Sequence, residues 1–319
     1  MVDVYGTLGP ACADADTLEC MIGAGMTGVR LNLSHAMLSD AEEMLDAFSK
    51  AQERCGARIK LLVDLQGPEL RVGFFDTPLV LAEGDVVALC ALQLPQALQD
   101  ALEPGDDVLL DDGKILLVVD NGRVARVVRG GVLSSRKSVA VPGKRIDLPP
   151  LTEADLENLA HAVHCGVYGV MQPFVRSRDD LLAVRSALAT VGGSAIKVFA
   201  KLESLEGVSA LPELFDAADE FVIARGDLGN SMPLWDVPAM QKRIARACGE
   251  AGAPFMVVTQ MLASMERNAV PTRAEVSDIF NAVVDGASSV MVTGETAVGA
   301  HPVEAIRYLA NTVAAAEAF

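Results

Sequence analysis

Short apolar runs alternate with longer amphipathic runs along most of this chain, and that alternation leaves few folds open. The strand-like runs are 2–7, 28–32, 60–64, 168–171, 196–201, 220–224, 255–259 and 289–293. Helical periods lie between them, for example at 40–55, 153–164, 178–189, 238–251, 273–285 and 303–317. Strands that are apolar on both faces and separated by amphipathic helices predict a parallel sheet covered by helices. Eight such βα units are what a closed cylinder demands. The expected class is therefore α/β, a TIM (β/α)8 barrel, whose chemistry sits on the loops that follow the strands.

One interval breaks this rhythm. Between Arg71 and Pro142 the runs become short and are punctuated by Glu83-Gly84-Asp85, Pro104-Gly105-Asp106, Asp112-Gly113, Asn121-Gly122 and Gly130-Gly131. Turn pairs at such spacing predict a small all-β module. We expect a barrel built from 1–72 and 143–319, with 73–142 inserted after strand 3. An insertion there lies on the active face and would act as a lid that excludes water.

The ends of two predicted strands carry charge. Lys201 and Glu203 are two residues apart, so in extended chain they project to one face, roughly 7 Å apart. Asp227 follows the next strand within Ala224-Arg225-Gly226-Asp227. If the strands are parallel neighbours, two carboxylates and an ammonium converge at their carboxyl ends. Paired carboxylates suit Mg2+ or Mn2+, which keep water and substrate oxygens as their other ligands. An ammonium beside such an ion is what a transferring phosphoryl group or an enolate needs. The trio predicts an enzyme.

Composition bears on what the enzyme does not do. With 319 residues, 51% of them hydrophobic, the chain has ample material for a large core. A formal net charge of −17 repels free nucleic acid, although local Lys and Arg clusters can still take a small phosphorylated substrate. The six cysteines show no zinc-type spacing and read as reduced thiols. Neither a signal peptide nor an apolar run of about 18 residues is apparent, so a cytoplasmic location without a membrane span is expected.

Eight motifs, in order, resemble the pyruvate kinase family over nearly the whole chain. They are Thr7-Leu-Gly-Pro10, Val29-Arg-Leu-Asn-Leu-Ser-His35, Asp64-Leu-Gln-Gly-Pro-Glu-Leu-Arg71 and the metal-site run Ile196-Lys-Val-Phe-Ala-Lys-Leu-Glu-Ser-Leu-Glu-Gly-Val208. Ala224-Arg-Gly-Asp-Leu-Gly229, Thr259-Gln-Met-Leu262, Pro271-Thr-Arg-Ala-Glu275 and Gly294-Glu-Thr-Ala297 complete the set. The resemblance implies phosphoryl transfer from phosphoenolpyruvate to ADP, giving pyruvate and ATP. It implies Glu203 and Asp227 as ligands of Mg2+ (or Mn2+), and Lys201 as the group facing the transferring phosphoryl. Arg30 and Arg71 are implied to hold phosphate oxygens, a task suited to planar bidentate donors. For K+ it implies Asn32, Ser34, Asp64 and the carbonyl of Leu65, with Glu69 as in potassium-dependent members. Thr259 is implied in proton delivery to the enolate, and the backbone at Gly226–Asp227 in receiving the substrate carboxylate. Arg30, Asn32, His35 and Lys137 are implied on the nucleotide side.

The sequence departs from the family at several places. Ala36 and Asp40 replace a Gly and a Tyr near the adenine, Pro173 a common Ser, Ala140 a frequent Asn and His301 a usual Tyr. The metal and phosphoryl groups are kept, while the nucleotide pocket is altered. The family's carboxyl-terminal domain is expected to be missing, and with it the response to sugar-phosphate effectors; a homodimer through barrel helices is the expected assembly. Two other readings stay open: a related metal-enolate barrel of lyase or aldolase type, and a noncatalytic binding module.

Overall fold

The computed structural model describes residues 1–319 except His35, Asp112, Arg145 and Asp147. Among the described residues the strands are β1 (Asp3–Thr7), β2 (Gly28–Asn32), β3 (Lys60–Asp64), β4 (Leu79–Leu81) and β5 (Val86–Ala88). They continue with β6 (Asp107–Leu110), β7 (Ile115–Asn121), β8 (Val124–Arg129), β9 (Gly131–Leu133) and β10 (Val139–Ala140). The last five are β11 (Gly169–Gln172), β12 (Lys197–Leu202), β13 (Glu220–Ala224), β14 (Phe255–Val258) and β15 (Ser289–Met291). The α-helices are α1 (Ala15–Gly23), α2 (Glu42–Cys55), α3 (Gln96–Ala101), α4 (Glu153–Ala162), α5 (Arg178–Thr190) and α6 (Leu205–Leu214). After these come α7 (Arg225–Leu228), α8 (Val237–Ala251), α9 (Arg273–Val284), α10 (Gly294–Ala297) and α11 (Pro302–Glu317). No described helix is long and apolar enough to cross a membrane.

Two compact units divide these elements. The first comprises Met1–Gly67, Pro150–Arg225 and Val237–Phe319. Its eight strands close in the order β1-β15-β14-β13-β12-β11-β3-β2, every pairing parallel. Alternate side chains point inward, and Tyr5, Leu62, Met171, Phe199, Val222, Met256, Val258 and Met291 fill the interior as one apolar cluster. Phe199 pairs with Met171, Met171 with Asp64, and Asp64 with Asn32 across four strands. Residues paired laterally share a face, so the inward layer that is apolar at Phe199 becomes polar toward Asn32 and Asp64.

Capping residues set where several of the barrel helices begin. Ser204, one residue beyond Glu203, accepts from Gly207 N and starts α6 at once. Thr152 and Asp155 form a reciprocal capping box at α4. The fully buried Asp155 does more than cap. Its Oδ1 accepts from Gln66 N (2.8 Å), and its Oδ2 from Gly67 N (3.0 Å) and Thr152 N (2.9 Å). Gln172 Nε2 meanwhile donates to the carbonyl of Pro150 (2.8 Å). One carboxylate thus holds the chain where it leaves the barrel and where it returns. Gly67 has φ of +59°, and a Cβ there would lie 2.4 Å from Pro173 Cγ, so only glycine fits.

Most strand bounds match the sequence reading to within a residue, but two strands end early. β14 stops at Val258 and β15 at Met291, short of Thr259 and Thr293. At the first, Thr259 and Gln260 take left-handed φ of +74° and +53°, which no strand accommodates.

The second unit comprises Pro68–Pro149 with Gly226–Asp236. It holds an antiparallel sheet in the order β10-β6-β7-β8-β5 and a β4-β9 pair. Val108, Leu110, Leu117, Val119, Val127 and Leu133 form its buried core, as alternation along each strand requires. β7 and β8 are joined at Asn121-Gly122, where the Asn121 side chain accepts from Arg123 N.

Candidate active site

At the carboxyl ends of β2, β3 and β12, four charged side chains of the barrel unit meet. Arg30 pairs in register with Leu62, two residues before Asp64 on the adjacent strand, so its guanidinium reaches along the rim to that carboxylate. Arg30 Nη2 and Nε lie 2.6 and 2.8 Å from Asp64 Oδ2. From the other side Lys201 Nζ lies 3.2 Å from both Asp64 oxygens and 2.9 Å from Glu203 Oε1. Asp64 and Glu203 are each 2% exposed. The formal charges of the four cancel, which is what allows two carboxylates to sit this deep.

Burial pushes the Asp64 carboxyl up. The pull of Lys201 and then of Arg30, with their hydrogen bonds, outweighs it and holds Asp64 below its ordinary value of 3.8. Glu203 has a further anchor, because its Oε2 accepts from Phe174 N at 2.7 Å. Phe174 adopts a left-handed φ of +49°, which departs from the path of the preceding strand. The sequence reading paired Lys201 with Glu203 correctly as neighbours, but gave no role to Phe174, whose contribution is a backbone group.

The donors implied for the ions are oxygens throughout. Glu203 offers a carboxylate on the rim, the hard ligand a divalent cation of this class takes. Asn32 is the register partner of Asp64, and Asn32 Oδ1 accepts from Ser34 N at 3.1 Å, which folds the chain after β2 back on itself. Leu65 follows Asp64 and is tied by its N–H to the Met171 carbonyl. An amide, a hydroxyl, a carboxylate and a carbonyl on two adjacent strand ends suit a hard monovalent cation. In donor type the residues named suit both ions, although among the described residues no group of three or more carboxylate, imidazole or thiol ligands is gathered. His35, expected on the nucleotide side, lies outside the described residues.

Thr259 begins the loop after β14, and that loop is held at both ends. Its carbonyl accepts from Arg225 Nη2 at 2.7 Å. Three residues on, Leu262 N donates to Glu295 Oε1 (3.1 Å), and Glu295 Oε2 takes Thr293 N (2.7 Å). Glu295 is 1% exposed. Neither Arg225 nor Glu295 received a side-chain role in the sequence reading. An arginine directly after the apolar run 221–224 was the available signal, since a buried guanidinium must find acceptors.

The remaining candidates belong to the second unit. Arg71 donates from Nε (3.0 Å) and Nη2 (2.6 Å) to Glu69 Oε2, and from Nη1 to the Arg136 carbonyl (2.7 Å). Its guanidinium is thus fixed by the very Glu69 noted in the sequence. Lys137 Nζ lies 2.8 Å from Asp111 Oδ1. Gly226 and Asp227 fall in α7, the single helical turn that begins as soon as β13 ends.

Comparison with known proteins accords with this rim chemistry. A family model described as the barrel domain of pyruvate kinase matches residues 1–306. A pyruvate kinase of Mycobacterium intracellulare is 39% identical across 98% of this chain and 69% of its own length. One of Mycobacterium tuberculosis is 38% identical with the same coverage, and one of Geobacillus stearothermophilus is 37% identical across 94% of this chain and 54% of its own length. This chain belongs to the pyruvate kinase family.

Proposed function

We propose that the chain transfers a phosphoryl group from phosphoenolpyruvate to ADP, yielding pyruvate and ATP. The observation that carries this reading is the cluster of Arg30, Asp64, Lys201 and Glu203 at one rim of a closed parallel barrel. Two of its members, Arg30 and Lys201, are cations bridged by the buried carboxylate of Asp64. An incoming phosphate can exchange for that carboxylate and take both cations at once.

In the proposed step the bond between phosphorus and the enol oxygen breaks, and its electron pair stays on that oxygen. A terminal β-phosphate oxygen of ADP forms the new bond to phosphorus. Arg30 and Lys201 spread the charge of the flying phosphoryl, with Arg71 as a third donor. The methylene carbon of the enolate then takes a proton from solvent through the Thr259 hydroxyl, which completes pyruvate. Mg2+ (or Mn2+), held by Glu203 and Asp227, supplies Lewis-acid stabilisation of the phosphoryl and enolate oxygens when bound. K+ is assigned to Asn32, Ser34, Asp64 and the Leu65 carbonyl. Gly226 and Asp227 receive the substrate carboxylate on the backbone N–H groups of α7. His35 and Lys137 are assigned to the nucleotide. Residues 73–142 are read as a lid, the protein as cytoplasmic, and self-association through barrel helices as its assembly.

The test is a coupled assay for pyruvate with phosphoenolpyruvate, Mg2+ and K+ across a series of nucleoside diphosphates, repeated with Na+ in place of K+. Pyruvate formation that depends on the nucleotide and falls on exchange of K+ for Na+ is expected. Product independent of any nucleotide would instead select a lyase or aldolase type of reaction.

A further inference from the structure

The backbone at Thr259 is the most strained point near the site. A β-branched residue at φ +74° is a true outlier, and Gln260 follows it at +53°. Such a conformation persists only where its surroundings over-determine it. Met256 and Val258 face the barrel interior, so a continuing strand would turn Thr259 away, toward the helices. The left-handed turn breaks that alternation at the one position where the proposed proton donor is needed.

What holds the turn is visible. Arg225 spans the gap between the ends of two neighbouring strands, β13 and β14. Its Nη2 reaches the Thr259 carbonyl (2.7 Å) and Met261 Sδ (3.0 Å), and its Nη1 reaches Asp278 Oδ2 (2.6 Å) and Gln241 Oε1 (3.4 Å). The Arg225 side chain is 12% exposed. A planar fork anchored on α8 and α9 at one end can fix a carbonyl at the other, which a lysine could not do. Glu295 closes the far end of the same loop through Leu262 N.

We propose that Arg225 is a positioning residue for proton transfer: seated on Asp278 and Gln241, it grips the Thr259 carbonyl and keeps Thr259–Gln260 in the left-handed turn that presents the Thr259 hydroxyl. This rests on the assignment of Thr259 as the proton donor. Arg225 touches no reacting atom in this role. It acts through the loop.

The experiment measures exchange of pyruvate methyl hydrogens with deuterated solvent by NMR, in the presence of Mg2+, K+ and ATP. The variants are Thr259→Ala, Arg225→Ala, Arg225→Lys, Asp278→Asn and the double Thr259→Ala/Arg225→Ala. Loss of the donor is expected to slow exchange by about a hundredfold in Thr259→Ala. Arg225→Ala should lose at least tenfold, with Arg225→Lys failing to restore it and Asp278→Asn losing less. The double variant should be no slower than Thr259→Ala, since both changes remove one function. If Thr259→Ala exchanges at the native rate, the donor assignment fails and takes the proposal with it. If Thr259→Ala is slow while Arg225→Ala and Asp278→Asn exchange normally, the proposal alone is overturned. Should Arg225→Ala not fold, Asp278→Asn and Arg225→Lys decide.

Discussion

Replacing Lys201 by Met puts a number on the charge balance at the barrel rim. The four-residue cluster is neutral with Lys201 and carries one net negative charge without it. Lys201 Nζ contacts Asp64 and Glu203 at 3.2 and 2.9 Å, and each contact represents about 5 kcal/mol of attraction at an effective dielectric of about 20. Much of that gain offsets the cost of dehydrating three ions, so the net loss on removing the lysine is about 3 kcal/mol. Thermal midpoint should fall by on the order of 5–10 °C. The double variant Lys201→Met/Glu203→Gln restores neutrality, and the new side-chain amide keeps an oxygen for Phe174 N. It should regain about half of the loss.

Activity separates from stability in the same pair. Both variants should form pyruvate at least about a hundredfold more slowly, because the charge proposed to face the phosphoryl is absent from each. The stability gap between native protein and Lys201→Met also has a defined pH dependence. Lys201 and Arg30 hold the Asp64 carboxyl below 3.8, so the stabilisation is present above that value and is lost as pH falls through the depressed one. Denaturant titrations from pH 7 down to about pH 3 would show the gap narrowing. A double variant no more stable than Lys201→Met, with a gap independent of pH, would refute the argument from charge balance.

Further outcomes follow from other parts of the barrel. Glu295→Ala leaves the N–H groups of Leu262 and Thr293 without their buried acceptor, so denaturant unfolding should show a loss of about 2–4 kcal/mol. At the opposite end, burial raises the Glu220 carboxyl above its ordinary 4.5 despite hydrogen bonds from Ser289 and Ser288. A raised folded value means its stabilising contribution is present below 4.5 and lost as pH rises, so Glu220→Gln should raise the thermal midpoint at pH 7 and leave it unchanged near pH 4. Ser34→Ala should raise the K+ concentration for half-maximal activity severalfold, read from a KCl titration, while the thermal midpoint holds.

The barrel was legible because its code is repetitive. Each strand is a run such as Phe221-Val222-Ile223-Ala224, and period alone locates it. Lys201 and Glu203 were legible because they sit two apart at the end of such a run, where extended geometry puts them on one face. Bonds made by backbone groups were not legible. Phe174 meets Glu203 through its N–H, and Thr259 meets Arg225 through its carbonyl, so residue type carries no trace of either. The early end of β14 was hidden for a related reason. Threonine favours strands, and tertiary bonds from Arg225 override that preference.

The carboxylate of Asp155 has a consequence for how this molecule could be rebuilt. Because Gly67 N and Thr152 N donate to a single oxygen at 3.0 and 2.9 Å, the two cut ends left by excising everything between them would already be neighbours. A bridge of a few glycines could span so narrow a doorway. The cylinder is then a chassis from which the interposed sheet can be detached, swapped or lengthened by recombination, without disturbing the staves on either side.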